Sequence, residues 1–156
     1  SKALGNGWPV AAVLGRRPVL QAAAGLHYSA TYHGDTAAMA AALQTLELVR
    51  KLDVQAHVHR LGERLIDGLN ALAKELALPA EAYGEPLPPV PFFPFIDRDP
   101  AKNAAMTRCF FREISARGVL LHPRHLWFLS AAHRDEDIDA TLVAARQALE
   151  VVVSVG

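Results

Sequence analysis

The residue pattern predicts an α/β chain. Its C-terminal part reads as an α+β domain with helices on one face of a mainly antiparallel sheet, and the tail of another domain precedes it. Three observations lead there. From about Leu76 onward the segments alternate strand, strand, helix, strand, strand, helix. A long leucine-striped helix runs in front of them as a connector. The first fifty residues complete no such unit.

Residues 9–15 carry Val10, Val13 and Leu14 among small alanines and read as a short buried strand between glycines. Residues 16–34 have weak periodicity and read as loop, with a helical turn near residues 20–24. Asp35 or Thr36 then caps a helix on which Met39, Leu43, Leu46 and Val49 recur at helical spacing. The connector, residues 53–76, places Leu61, Leu65, Leu69, Leu72 and Leu76 on one stripe and charges on the others. Gly62 and Gly68 weaken it by about 1 kcal/mol each relative to Ala and mark close packing.

Seven of the ten prolines fall between Pro79 and Pro100, so the apolar stretch at 91–96 reads as an interrupted or edge strand. Asp99-Pro100 is a strong helix start, and that helix turns Met106, Cys109, Phe110 and Ile114 inward before stopping at Gly118. Residues 119–122 and 127–131 read as two short strands. The last helix, about 135–153, presents Ile138, Leu142, Ala145, Leu149 and Val152.

The 156 residues suit one domain, or a small domain plus a piece of a larger one. Half are apolar and a fifth charged, a globular mix. Sixteen basic residues balance sixteen acidic ones, so neither nucleic acid nor an anionic membrane is an expected partner. Cys109 is the lone cysteine, which forbids an intrachain disulfide and points to a reducing, cytoplasmic compartment. No apolar run approaches the roughly 20 residues of a membrane helix. The start lacks a signal-peptide pattern and an initiating Met, so Ser1 is expected to be an internal or first retained residue of something longer.

Lys2 precedes a Gly5-Asn6-Gly7 turn and an apolar segment. That is either a solvated terminal lysine or an amine held on a bendable arm, as Schiff-base chemistry requires. Gly5-Asn6-Gly7 lacks both the third glycine of a dinucleotide fingerprint and the ending of a P-loop. Residues 29–35, Ser-Ala-Thr-Tyr-His-Gly-Asp, run into a helix start and read either as a capped loop or as an anion site built from hydroxyls and free amides. His122 and His125 make a poor zinc site, with no third ligand at suitable spacing, and His57 and His59 point in different directions on one helix. No nucleophile elbow is present.

Taken together, the 1–10 segment, residues 29–34 opening a helix, and the Phe128-Leu-Ser-Ala-Ala-His133-Arg-Asp-Glu-Asp-Ile-Asp-Ala-Thr141 ending resemble the C-terminal part of class III pyridoxal-phosphate aminotransferases. The glutamate-1-semialdehyde 2,1-aminomutase branch is the most similar. The resemblance implies the type I aminotransferase fold, with pyridoxal 5'-phosphate as cofactor and Lys2 as the lysine that holds it in an internal aldimine. It implies that Thr31 reaches the cofactor phosphate from the neighbouring subunit of a homodimer. Residues 1–54 would be the remnant of the large cofactor-binding domain, and 55–156 the small domain entered through the connecting helix. The phosphate turn, the ring-stacking aromatic and the aspartate for the ring nitrogen have no counterpart here and are expected upstream, in the same or a separate polypeptide.

Two departures from the family pattern stand out: Asp35-Thr36 where Asn-Pro is usual, and Arg134 where a capping hydroxyl is usual. The implied activity is transfer or internal shift of an amino group on a small amino or oxo acid. The alternative is a non-catalytic dimerisation or folding fragment that needs the upstream half. His122, His125, Trp127 and Phe128 belong either to the substrate side or to a packed strand pair with surface histidines.

Overall fold

A computed structural model describes residues 2–27, 29 and 31–155. Ser1, Tyr28, Ala30 and Gly156 lie outside the described residues, as does the side chain of Val155. The chain forms two compact units, Ser1–Asp53 and Val54–Gly156.

The first unit opens with a 3₁₀ turn at Ala3–Gly5, followed by α1 (Arg17–Ala23) and α2 (Thr36–Lys51). α1 takes the place of the single helical turn expected there, with Pro18 in its first turn, where a missing N–H costs nothing. The buried strand expected at 9–15 is not formed. That segment is irregular, with Val13 and Leu14 79% and 89% exposed, because no described segment lies beside it to pair its amides and carbonyls. Asp35 caps α2, its Oδ1 accepting from the N–H groups of Ala37 at 3.0 Å and Ala38 at 3.3 Å. The buried face of α2 is made of small residues, Ala38 and Ala42, and the helix packs on the 3₁₀ turn. Met39, Leu43 and Leu46 face outward, and Val49 is half-buried.

The second unit holds α3 (Val54–Glu75), α4 (Pro100–Ala116) and α5 (Asp135–Val155), with α5 packed on both others. Leu61, Leu65, Leu69 and Leu72 form the buried stripe of α3, each contributing about 1.5–3 kcal/mol by leaving water. Leu76, last of the expected stripe, is partly buried against the same core. α4 begins at the Asp99 cap with Pro100 in its first turn, and ends at Gly118, whose φ of +86° suits glycine. Its Phe110 is fully buried in edge-on contact with Phe93, Phe95 and Phe111. Ile138, Ala145, Leu149 and Val152 of α5 close the core.

Both glycines of α3 mark close approaches. A Cβ on Gly62 would meet the Pro88 oxygen at 2.2 Å, and one on Gly68 would meet the Leu142 methyls at 2.6 Å.

The expected strands appear as extended segments rather than a regular sheet. Residues 79–83 run antiparallel to 92–96, with β-bridges at Ala80–Phe95 and Tyr83–Phe92. Trp127 and Leu129 donate to the Pro91 and Pro89 carbonyls at 3.0 and 2.9 Å. Glu81 donates to Pro94, and Ile96 to Pro79. In each of these last four pairs the proline accepts one hydrogen bond and can return none, so the ladder is half-made. Residues 119–122 likewise stay irregular.

Asparagine side chains complete what the ladder leaves open. Asn70 Nδ2 donates to the Ala82 carbonyl at 3.0 Å, and its Oδ1 accepts the Ala82 N–H at 2.7 Å. Asn103 serves Asp97 in the same way, at 2.6 and 2.7 Å.

Candidate active-site segment and family

Lys2 is exposed and stands immediately before the 3₁₀ turn, with φ −142° and ψ −141°. Behind it the chain is fixed. Asn6 N–H donates to the Ala3 carbonyl at 3.1 Å, and Trp8 N–H to the Gly5 carbonyl at 3.0 Å. Gly5 is buried so closely against Val10 that a Cβ there would lie 2.6 Å from its Cγ1. The exposed Lys2 therefore stands immediately before a pinned turn.

Thr31 is also exposed, in the turn of residues 31–34 that leads into α2. The structure brings these two positions into one unit, with the turn after Lys2 packed on the helix that follows Thr31. Of the two readings of residues 29–35, the helix start shows the cap. Asp35 occupies the first-turn amides of Ala37 and Ala38 with its own carboxylate, so that terminus is capped and already faces a negative charge. Thr31 is exposed, as are Ser29, Tyr32 and His33 of the same motif. Ser1 and Ala30, members of the two motifs, lie outside the described residues.

In the second unit, residues 122–128 form a loop that braces itself. The Arg124 N–H donates to His122 Nδ1 at 3.1 Å, and Trp127 Nε1 donates to the His122 carbonyl at 3.0 Å. His125 Nδ1 donates to the Leu126 carbonyl at 2.8 Å. The two rings thus use Nδ1 differently, His122 accepting at it and His125 donating from it. Trp127 is buried against Phe111, whereas Phe128 is 62% exposed. His122, Trp127 and Phe128 line a cleft of about 960 Å³ together with His133, Asp137 and Thr141. Among the described residues no group of three or more His, Cys, Asp or Glu side chains is placed to hold a metal ion.

The start of α5 carries interactions that spacing did not reveal. Arg60 makes a bidentate pair with Asp135 at 2.6 and 2.9 Å. Arg64 reaches the same carboxylate at 2.7 Å and also pairs with Asp139. The Arg60 hydrogen bond is the main reason that the Asp135 carboxyl is lowered to about 2. Arg134 offers no side-chain cap, and Asp137 instead accepts the Arg134 N–H at 2.8 Å, the reciprocal half of a capping box. His57 Nε2 donates to the His133 carbonyl at 2.8 Å, whereas His59 Nδ1 donates within its own helix to Gln55. A sequence signal for the clamp existed in Arg60 and Arg64, one turn apart, but their partners lie some 75 residues away.

The fold is that of pyridoxal-phosphate-dependent transaminases, and the chain corresponds to the C-terminal part of that type I fold. It is similar to the solved structure of the PLP internal aldimine form of the Sphingopyxis sp. MTA144 FumI protein, at 29% identity and a TM-score of 0.86 over 97% of this chain and 35% of that one. In fold alone it is similar to an omega-transaminase from Sphaerobacter thermophilus, at 19% identity and a TM-score of 0.83 over 96% of this chain and 37% of that one.

The family model described as aminotransferase class-III matches residues 1–126, and the chain belongs to that family. Among curated relatives, the glutamate-1-semialdehyde 2,1-aminomutase of Thermomicrobium roseum is 37% identical over 97% of this chain and 37% of its own length. That of Thermus thermophilus is 36% identical over 95% of this chain and 38% of its own length. The chain thus spans well under half the length of these relatives.

Proposed function

We propose that this chain contributes the catalytic lysine, Lys2, and part of the cofactor site to a pyridoxal-phosphate enzyme that moves an amino group on a small amino or oxo acid. The observation that carries the reading is the exposed Lys2 immediately before a pinned turn, in a chain of the class-III family. The donor chemistry fits the cofactor. Lys2 offers a primary amine for its aldehyde, and Thr31 offers a hydroxyl for its phosphate. When bound, pyridoxal phosphate supplies a protonated ring that draws electrons from the substrate carbon. In its neutral form Lys2 Nζ first acts as a nucleophile and later takes up and returns a proton as a general base. Thr31 Oγ1 donates a hydrogen bond that fixes the phosphate end.

The same reading takes the protein as a cytoplasmic homodimer in which Thr31 serves the site of the neighbouring subunit. It takes residues 1–54 as the end of a large domain and 55–156 as the small domain.

Borohydride reduction of cofactor-saturated protein followed by peptide mass spectrometry tests it. A pyridoxyl adduct on Lys2 supports the reading, and unmodified Lys2 refutes it. Lys2→Ala removes turnover while leaving the oligomer intact. Thr31→Ala weakens cofactor retention about tenfold, the value of one hydrogen bond to a charged group. Unchanged retention in that variant reduces the 31–34 turn to a helix lead-in.

A second reading, a dimerisation or folding fragment without catalysis of its own, is favoured by one observation. Among its described residues, the first unit buries only Ala38 and Ala42 of its hydrophobic side chains. Copurification of a polypeptide carrying the remainder of the family's length, together with no cofactor binding by this chain alone, would establish it.

A further inference from the structure

We propose that Asn6-Gly7 is a self-modifying site, at which the Gly7 backbone nitrogen attacks the Asn6 side-chain amide and converts position 6 to aspartate and isoaspartate. The two residues are the central pair of a turn from Gly5 to Trp8, closed by the 3.0 Å hydrogen bond between Trp8 N–H and the Gly5 carbonyl. Asn6 lies at φ 46°, ψ 49° and Gly7 at φ 100°. Positive φ at both positions defines a type I′ turn, for which Asn-Gly is the favoured pair. Both residues are exposed, and nothing lies within 4 Å of the position a Gly7 Cβ would take. Among the described residues no acceptor receives the Gly7 N–H, so the attacking nitrogen is not tied down.

The reactive geometry is one peptide rotation away. Turning the Asn6–Gly7 peptide plane by about half a turn converts type I′ to type II′, in which Asn6 keeps its positive φ and the closing hydrogen bond survives. That motion carries the Gly7 nitrogen from the far side of the Asn6 Cα–C bond, opposite Cβ, to the near side, where it meets Cγ. Gly7 must exchange a positive φ for a negative one, which glycine does at little cost.

The bond from Gly7 N to Asn6 Cγ then forms and the Cγ–Nδ2 bond breaks. Ammonia departs with the proton from Gly7 N, leaving a five-membered imide. Water opens the imide at either carbonyl. Cleavage on the side-chain side gives aspartate. Cleavage on the main-chain side gives isoaspartate, which routes the backbone through Cγ and lengthens it by one methylene. No oxidant, reductant or cofactor enters the balance.

The other two asparagines provide an internal contrast. Asn70 and Asn103 lie within α3 and α4 and are followed by alanine. Both polar atoms of each amide are engaged, with Ala82 and with Asp97. A helical peptide cannot rotate, so position 6 reacts selectively. The consequence falls on the pinned turn after Lys2, because the added methylene cannot preserve both the Gly5–Trp8 closure and the Gly5–Val10 contact.

The experiment is timed incubation of the purified protein at mildly alkaline pH and physiological temperature, with peptide mapping and isoaspartyl-specific methylation. Position 6 is expected to gain the amide-to-acid mass shift at least an order of magnitude faster than positions 70 and 103, with isoaspartate the larger product. Asn6→Gly keeps the positive φ without the amide and abolishes the shift. An amide at position 6 that persists as long as those at 70 and 103 overturns the proposal. This readout uses no activity and stands apart from the reading of Lys2.

Discussion

Replacing Gly62 by alanine sets helix preference against packing at a single atom. In an exposed helix the change would stabilise by about 1 kcal/mol. Here the new Cβ meets the Pro88 oxygen at 2.2 Å, the Pro88 carbonyl carbon at 2.3 Å and the Pro89 nitrogen at 2.7 Å, three atoms of one peptide. That peptide is held from its other side, because Pro89 is buried and its carbonyl accepts from Leu129. Relief requires more than an ångström of separation between helix and loop. The cost falls at the upper end for overpacking, about 3 kcal/mol, leaving a net loss of about 2 kcal/mol. For a unit of this size that lowers the unfolding temperature by about 10 °C.

Gly68→Ala is the matched comparison, since its Cβ meets only the ends of the half-buried Leu142 side chain, which can rotate away. Its net effect lies within about 0.5 kcal/mol of zero. Thermal and urea unfolding followed by circular dichroism measure both variants beside the parent. Gly62→Ala unfolding at or above the parent temperature, or Gly68→Ala losing as much as Gly62→Ala, would refute the argument.

Acid unfolding probes the α3–α5 clamp. The folded Asp135 carboxyl, at about 2, lies below its ordinary value, so the stability it contributes is complete above about pH 4 and lost as pH falls toward 2. The gap in urea midpoint between parent and Asp135→Asn should be widest near neutrality and close across that window; a gap independent of pH would exclude the linkage. Asn70→Ala leaves the buried Ala82 N–H and carbonyl unpaired and should cost about 2–3 kcal/mol by urea unfolding, against a small change for Asn70→Asp if the amide were merely exposed polarity.

Helices were legible because their signals are local. Asp35 and Asp99 cap where an acid precedes a helical run, and the leucine stripe of α3 follows from spacing alone. The proposal for Lys2 and Thr31 rests on the order of motifs along the chain, since exposure and a nearby turn do not distinguish a nucleophile from a surface lysine. Three features depended on information that spacing lacks. The apolar run at 9–15 has strand composition but no partner beside it among the described residues. On α2 the larger side chains looked like the inner stripe, yet Ala38 and Ala42 are the buried pair, because close approach to the 3₁₀ turn favours the smallest residues. Spacing left residues 29–35 open between a capped loop and an anion site, and what it could not show is that the Asp35 carboxylate takes the Ala37 and Ala38 amides.

The half-made ladder of the second unit has a consequence for how the protein behaves in a crowded solution. A sheet margin recruits foreign strands when it offers alternating donors and acceptors in register. Along 86–94 prolines recur at positions 86, 88, 89, 91 and 94, so when this segment parts from its neighbours an incoming chain finds few amides to pair with. The apolar Val90-Pro-Phe-Phe-Pro-Phe95 stretch, hydrophobic enough to nucleate aggregation, therefore carries its own gatekeepers. The residues that cost this unit a regular sheet also shield it from cross-β association.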